Sequence, residues 1–250
     1  MLTAEPDDIG MLCGHLVTGR EGVRATADRP VAALRLESEA LIGVFRGLDA
    51  SSFGLLTNCP PWDLAELVVH MADSVGIRRP FLGAKPGAVV KSAADYYRRA
   101  ERGTAEYRQG NVDRTQERAR EVLVDASPLE WFERVAGAAL KVLEGDDQGR
   151  VAEVPGHGAM RLGDWVATRV IALAAHGLDV AITLGRDAWT TEAALAVVRP
   201  VFVDLLGDEP PAGLQWDDGT FLAVATGRRA LTEAERVLLG SRRGRFPLLS

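Results

Sequence analysis

The sequence predicts a mainly α-helical protein in which a helix bundle is followed by a small α+β segment. Through residues 28–185, apolar side chains recur at spacings of three, four and seven, the pattern of amphipathic helices. Residues 186–250 depart from this pattern, because an Asp-Asp-Gly turn separates two short runs with strand composition. Hydrophobic residues form 47% of the 250-residue chain, which suffices for one large domain or a main domain with a smaller one.

These changes of pattern divide the chain into three segments. Residues 1–27 show weak periodicity and form an N-terminal extension. Residues 28–185 form the bundle domain, and residues 186–250 form a small α+β C-terminal domain.

The first bundle helix begins at Pro30 and ends before Gly47. Its apolar positions are Val31, Leu34, Leu41, Ile42 and Phe45. A loop over residues 58–62 follows, which two prolines stiffen. Asp63 then begins a helix that extends to about Val75, because Glu66 completes an acidic capping box.

Residues 76–103 form a long connection rich in glycine and proline, with a short helix over about 93–100. Helical patterning resumes over 104–123, and Pro128 occupies the first turn of a helix that ends near Leu143. A loop over 150–160 leads to the longest helix, residues 161–184, which Gly185 terminates.

The C-terminal segment is expected to mix helix and strand. A helix fits residues 190–206, and a second short helix fits 233–239 after Thr232. Between them, residues 214–216 and 220–224 are predicted to be strands joined by a turn at 217–219.

Composition excludes several classes of protein. The net charge of −6 argues against a general nucleic-acid binder, whose surface would be basic. No run approaches about 18 uninterrupted apolar residues, so no membrane span is expected. Acidic residues precede the first basic one, which is wrong for a signal peptide. Two cysteines form neither a disulfide framework nor a zinc cluster, and a cytoplasmic location fits.

Two histidines give the best indication of a site. On the longest helix, His176 and Arg169 fall inside the apolar face, with Asp179 on its flank. His70 lies near the edge of the apolar stripe of its own helix. Two bundle helices could therefore direct His70 and His176 into one interior cavity, where a metal or a substrate could bind. Alternatively, each is a satisfied core histidine, and Asp73 or Asp179 pairs with an imidazole or with Arg169.

Two stretches and the tail carry a resemblance to a known family. Residues 56–70 closely resemble the first motif of the mycothiol-dependent maleylpyruvate isomerase family, a branch of the DinB-like four-helix bundles. Residues 160–169 and 176–179 resemble its second motif, and residues 225–232 and 245–249 resemble the C-terminal ending of many members. The resemblance covers about residues 28–250, and it implies a DinB-like four-helix bundle.

The resemblance also implies a divalent metal, typically zinc, held by a histidine at the end of the first motif and by a Glu-x-x-x-His pair in the last helix. The corresponding residues are His70, residue 172 and His176, but residue 172 is alanine. Asp179, Asp73 or an atom of the substrate could replace the missing ligand. The candidate metal set is His70, His176 and Asp179. Otherwise the metal is absent, and the two histidines do acid–base or hydrogen-bonding work.

The chemistry that the resemblance implies is the attack of a low-molecular-weight thiol, mycothiol, on a small electrophilic metabolite. His70, His176 and Arg169 are the candidate catalytic residues, with Arg169 steadying a carboxylate or enolate oxygen. The candidate substrate-binding residues are Arg228, Arg229, Trp165 and Tyr97. For Tyr96, Tyr97 and Arg98, solvated surface is the preferred interpretation, as it is for the loop residue His157. Cys59 is interpreted as packing rather than as a nucleophile.

Three hypotheses about function stay open. The first is a thiol-dependent transferase or isomerase. The second is a metal-free relative that catalyses a cyclisation or isomerisation in a biosynthetic pathway. The alanine at position 172, in place of a metal ligand, suggests this hypothesis. The third is a non-enzymatic protein that binds a small molecule. The expected partners are a small-molecule substrate and a thiol, and the protein is expected to be a monomer or a homodimer.

Overall fold

A computed structural model describes residues 29–77, 79 and 81–249, so the predicted extension over 1–27 lies outside the described residues. Within that part, the α-helices are α1 Arg29–Arg46, α2 Leu64–Val75, α3 Ala93–Tyr97, α4 Ala105–Val122, α5 Pro128–Glu144, α6 Leu162–Leu184, α7 Glu192–Leu206, α8 Asp218–Ala225 and α9 Glu233–Leu239. The strands are β1 Leu82–Gly83, β2 Val151–Val154 and β3 Gly158–Arg161. The prediction of a mainly α-helical fold with a small α+β part is confirmed.

Helices α1, α2, α5 and α6 form the bundle, because each packs on two or more of the others, and α4 packs on the outside of α2. The core between them is aromatic and aliphatic. Phe45 of α1 meets Phe132 of α5 edge to face, with ring centroids 5.6 Å apart. Leu67 and Leu162 are fully buried, and each such side chain contributes about 1.5–3 kcal/mol by leaving water.

The helix ends follow the predicted signals. Asp63 and Glu66 form a reciprocal capping box at the start of α2, which satisfies two otherwise unpaired backbone N–H groups. Ser127 and Glu130 do the same for α5. Gly185 ends α6 in the left-handed conformation, with φ of 61°, which glycine adopts at no steric cost.

The sheet lies elsewhere than predicted. Residues 150–160, predicted to be a loop, contain the antiparallel hairpin of β2 and β3, and β1 pairs with the other edge of β2. Gly156 and Gly158 have positive φ angles of 76° and 81° in the hairpin turn. The three strands therefore belong to the region just before α6, within the segment predicted to be the bundle.

The prediction of strands at 214–216 and 220–224 is wrong. Residues 212–214 form a 3-10 turn, and α8 occupies the second segment. The side chain of Asp217 accepts a hydrogen bond from the N–H of Thr220 and begins the helix. Phe221, Leu222 and Val224 are all buried, and a short run that is apolar on every side gives no helical period to detect.

The C-terminal helices pack directly on the bundle. Helix α7 contacts α1 and α6, and α8 contacts α6 and α7. The tail returns to α8, where the N–H of Leu248 donates to the carbonyl of Ala225 at 2.7 Å. Helix α6 is long and apolar enough to cross a membrane by length and composition, but 72% of its most apolar window is buried inside the fold. Core helices meet the same two criteria, so this is weak evidence for a span.

Candidate functional site

A cavity of about 1190 Å³ lies between α2, α4, α6 and the connection that contains α3. His70 of α2 and His176 of α6 both line it, and Ala172 lies one turn before His176 on the same wall. The two imidazole rings are perpendicular, with centroids 5.0 Å apart. The structure thus brings together the two histidines that the sequence analysis singled out.

The tautomer of His176 follows from its partner. Its Nδ1 lies 2.8 Å from Oδ2 of Asp179, one turn further along α6. A carboxylate can only accept a hydrogen bond, so Nδ1 carries the proton and donates. In the neutral ring, Nε2 then has the free lone pair. The Asp179 contact fixes the orientation of the ring and leaves Nε2 as the basic atom.

Asp179 is fully buried, and both of its carboxylate oxygens accept hydrogen bonds. Arg228, from the segment after α8, donates Nε to Oδ1 at 2.9 Å and Nη2 to Oδ2 at 2.6 Å. Asn58 donates its amide to Oδ1 at 2.9 Å. Burial raises the pKa of Asp179, but the hydrogen bonds from His176 and Arg228 outweigh burial and hold the pKa well below its usual range. The carboxylate is therefore ionised.

His70 stays neutral. Burial lowers its pKa to about 3, and the neighbouring His176 and Arg169 act in the same direction. Its Nδ1 lies 3.1 Å from the hydroxyl of Thr115 on α4. Its ring rests on the indole of Trp62, with centroids 4.6 Å apart. These contacts hold a neutral imidazole against the wall of the cavity.

The residues present do not complete a three-ligand metal site of the implied kind. His70 and His176 offer one ring nitrogen each, and the methyl group of Ala172 offers none. A catalytic zinc takes three protein ligands. Asp179 could join only by giving up Arg228 and Asn58, which hold both of its oxygens.

A second possible metal group within the described chain is Cys59, His176 and Asp179, whose ligand atoms lie within 4.8 Å of one another. It fits a cation poorly for two reasons. Burial and the charge of Asp179 raise the pKa of the Cys59 thiol to about 12, so the thiol is protonated. The guanidinium of Arg228 already supplies the positive charge that Asp179 attracts.

Arg169 is held by neutral groups. Its Nη1 donates to the carbonyl of Ser74 at 2.8 Å, and its Nε donates to the hydroxyl of Thr168 at 3.0 Å. The guanidinium lies over the rings of Tyr96 and Trp165, 5.0 and 5.3 Å from their centroids. Arg169 lines the cavity. Trp165 is buried next to Arg169 and is not among the residues that line the cavity.

The connection over residues 76–103 contributes more side chains to the cavity than predicted. Solvated surface was the preferred interpretation for Tyr96 and Tyr97, although Tyr97 was also a candidate for substrate binding. The two side chains are 8% and 7% exposed and line the cavity. Tyr97 donates its hydroxyl to the carbonyl of Thr168 at 3.0 Å. Ser92 and Asp95 form a capping box that begins α3. The short helix predicted over about 93–100 is thus present as α3 Ala93–Tyr97.

His157 was also expected to be exposed, and it is not. It lines the cavity and stacks on Tyr96, with ring centroids 4.4 Å apart. Burial lowers the pKa of His157 to about 4, and the charges of Arg99 and Arg169 add to the effect. The hairpin of β2 and β3 brings His157 to the cavity. Because residues 150–160 were predicted to be a loop, the contact of His157 with Tyr96 was not expected.

The two arginines proposed from the C-terminal segment separate. Arg228 lines the cavity through its pair with Asp179. Arg229 turns away and donates Nη2 to Glu235 at 2.7 Å, beside Trp216. Arg98 also lies outside the cavity, where it binds Asp204 at 2.7 Å.

A family profile described as the mycothiol maleylpyruvate isomerase N-terminal domain matches residues 34–181, more than half of the chain. The matched segment contains His70, Ala172, His176 and Asp179. No curated protein and no solved structure matches the chain.

Proposed function

Because the chain belongs to the mycothiol maleylpyruvate isomerase family, we propose that it is an enzyme that adds mycothiol, or a similar low-molecular-weight thiol, to a small electrophilic metabolite. The thiolate sulfur forms a bond to the electrophilic carbon of an activated alkene, and the alkene π pair moves to the conjugated carbonyl oxygen. Protonation at carbon gives an S-conjugate. Rotation followed by departure of the thiolate gives an isomer. A reducing cytoplasm, where such thiols persist, is the proposed compartment.

The observation that carries this proposal is the arrangement of His176 and Asp179. Asp179 accepts from Nδ1 at 2.8 Å, so the lone pair of Nε2 is available as a base on the cavity wall. A general base of this kind contributes about 10²–10⁴-fold to rate. His176 takes the thiol proton and returns it to the product. The thiolate is the nucleophile, and the chain supplies the base that forms it.

The surrounding residues favour the thiolate once it forms. Arg169 places a guanidinium on the cavity wall, and Arg228 compensates the negative charge of Asp179 that would otherwise oppose a thiolate. His70 is neutral and accepts or donates a hydrogen bond without adding charge. With Ala172 in the position of the third metal ligand, proton removal by His176 replaces activation of the thiol by a metal.

Ala172 also supports a second candidate function. Loss of the metal-ligand carboxylate is expected if the cavity was adapted to a thiol-independent cyclisation or isomerisation, or to ligand binding without turnover. The first variant predicts turnover that does not need a thiol. The second predicts saturable binding and no product.

The test measures thiol consumption and mass-spectrometric adducts with mycothiol and a panel of activated alkenes that includes maleylpyruvate, in the presence of a chelator. Conjugation or isomerisation that requires native protein and thiol supports the proposal. The absence of any adduct or isomer across the panel contradicts it. Turnover without thiol selects the second candidate.

A further inference from the structure

All three tyrosines of the chain lie in one cluster on the wall of the cavity. The guanidinium of Arg102 lies between 5.0 and 5.5 Å from the ring centroid of each, namely Tyr96, Tyr97 and Tyr107. A phenol can donate a hydrogen bond and can accept one. The neighbours of each hydroxyl therefore decide what it can offer to a ligand.

Two of the three hydroxyls already have a role within the fold or in solvent. Tyr97 donates its hydroxyl to the carbonyl of Thr168 at 3.0 Å, and burial raises the pKa of this phenol. Tyr107 is partly exposed and accepts a hydrogen bond from Nη1 of Arg102 at 3.2 Å, so water can accept its proton. Neither hydroxyl is directed by the protein toward a buried ligand.

Tyr96 is buried, and its hydroxyl has neighbours of a different kind. Among the residues that the structure describes, no carbonyl or carboxylate accepts a hydrogen bond from this hydroxyl, and the charged groups that act on it are Arg169 and Arg102. A guanidinium has only donors. The hydroxyl can therefore accept from these two neighbours while its own proton stays available to a ligand in the cavity.

Three packed elements hold the ring of Tyr96 and set its charge environment. His157 of the hairpin turn stacks on it with ring centroids 4.4 Å apart, Tyr97 meets it edge to face at 5.0 Å, and Arg169 of α6 lies 5.0 Å from its centroid. Burial raises the pKa of Tyr96, but the charges of Arg169 and Arg102 outweigh burial and lower the pKa below its ordinary value. His157, whose own pKa is about 4, adds no charge at neutral pH. The environment therefore makes the proton of Tyr96 easier to release.

We propose that Tyr96 is the acid of the thiol addition and protonates the conjugated carbonyl oxygen of the electrophile, a role that rests on the proposed function. As the thiolate sulfur bonds to carbon, the alkene π pair moves to the carbonyl oxygen, which takes the proton of Tyr96. Arg102 and Arg169 stabilise the phenolate that remains. The enol then returns this proton to the phenolate while the adjacent carbon takes a proton from Nε2 of His176. The product is the S-conjugate, and both side chains regain their starting states.

The distance between base and acid suits such a reaction. Tyr96 lies beside Arg169, which precedes His176 by seven residues on α6, about 10 Å along the helix axis. Hydrogen bonds of about 3 Å at each end leave about 4 Å between the attacking sulfur and the carbonyl oxygen. The chain of sulfur, three carbons and oxygen in the adduct spans such a length. The base and the acid can therefore act on opposite ends of one activated alkene.

The first test needs neither a thiol nor a substrate. The ultraviolet absorbance of tyrosinate is followed as the wild type is titrated with base. One tyrosine should ionise below the ordinary value of about 10, Tyr96→Phe should remove that component, and Arg169→Gln should raise its pKa. Tyr107→Phe is the matched control and should leave the component in place. A titration in which no tyrosine ionises below about 10, or in which folded Tyr96→Phe keeps the component, would overturn the proposal.

The second test measures conjugation of mycothiol to the activated alkene that the wild type converts fastest. Tyr96→Phe should lower kcat/KM by about 100-fold or more, the contribution of a positioned acid. The wild-type value should fall as the pH rises through the pKa found in the titration, because only the protonated phenol is an acid, and Tyr96→Phe should lose this limb of the profile. Tyr107→Phe should stay within about threefold of the wild type. Circular dichroism should show all variants folded.

The two proposals fail separately. If the wild type conjugates the alkene and folded Tyr96→Phe reacts as fast, or keeps the same fall at high pH, Tyr96 is not the acid and the thiol chemistry stands. If the wild type forms no adduct with any alkene, the proposed function fails whatever the titration shows.

Discussion

Arg228 holds both oxygens of Asp179, with Nε 2.9 Å from Oδ1 and Nη2 2.6 Å from Oδ2. The pair joins the C-terminal segment to helix α6, and the same carboxylate orients His176. The C-terminal segment therefore contributes to the arrangement of the site. A change at Arg228 should alter both folding and chemistry, because one carboxylate serves both.

The first prediction concerns this pair. Arg228→Met should lower the free energy of unfolding by about 3–5 kcal/mol, because it leaves the buried Asp179 carboxylate without its main counter-charge. Urea unfolding at pH 7 measures the loss. Arg229→Met is the matched control: its pair with Glu235 is partly exposed, and its loss should cost about 0–1 kcal/mol. Equal effects of the two substitutions would contradict the assigned role of Arg228.

The second prediction concerns the missing ligand. Ala172→Glu places a carboxylate four residues before His176, on the same face of α6. The variant should retain about one zinc per chain after dialysis, because it restores three protein ligands. The wild type and the uncharged control Ala172→Gln should retain only a small fraction of that. Plasma mass spectrometry of untagged protein measures the content, and stoichiometric zinc in the wild type would contradict our view of the donor set.

The third prediction concerns a buried acid outside the cavity. Glu37 on α1 is fully buried and accepts hydrogen bonds at Oε2 from the N–H and hydroxyl of Thr191, while its Oε1 has no partner. Burial raises the pKa of Glu37 above its ordinary 4.5, although the bonds from Thr191 oppose the shift. The folded state therefore holds a proton that the unfolded state releases, and stability should fall as the pH rises above about 4.5.

Glu37→Gln should remove that component of the pH dependence. The free energy of unfolding of the variant, relative to that of the wild type, should therefore be higher at pH 8 than at pH 5. Urea unfolding at the two pH values measures the difference. Glu39→Gln, an exposed position on the same helix, should leave the pH dependence as it is in the wild type. Parallel pH profiles for Glu37→Gln and the wild type would show that Glu37 titrates normally.

The fourth prediction concerns Cys59. Because burial and Asp179 raise the pKa of its thiol to about 12, Cys59 should resist iodoacetamide at pH 8 in native protein and react in denaturant. Peptide mapping separates it from Cys13, which lies outside the described residues. Cys59→Ala should keep thiol conjugation within about threefold of the wild type, since the nucleophile is the added thiol. Rapid native alkylation that abolishes activity would make Cys59 a nucleophile instead.

Much of the fold was predictable because helix signals are local. The capping box at Asp63, Pro128 in a first turn and Gly185 at a helix end each gave a boundary to within about two residues. The helix over 218–225 was missed because it is short and buried on several sides, so its apolar run has no period. The hairpin before α6 was missed because each of its two strands has only four residues, the lower limit at which an alternating pattern can be detected. Its third strand, residues 82–83, lies far away in the sequence.

The site was predictable in part for the same reason. His70 and His176 stood out because polar residues are rare on apolar helical faces. The sequence suggested that Asp179 pairs with an imidazole or with Arg169. Its pair with Arg228 joins residues 49 positions apart, which no local spacing indicates. Tyr96, Arg102 and His157 converge from a connection and a hairpin turn, and no local spacing encodes that convergence.

The most direct test of the central claim is the rate of mycothiol conjugation in a chelator, for the wild type and for His176→Ala. We expect the chelator to leave the wild-type rate unchanged and the substitution to lower it by about 100-fold or more, the contribution of a positioned general base. A wild-type rate that the chelator abolishes, or a folded His176→Ala that reacts as fast as the wild type, would contradict it.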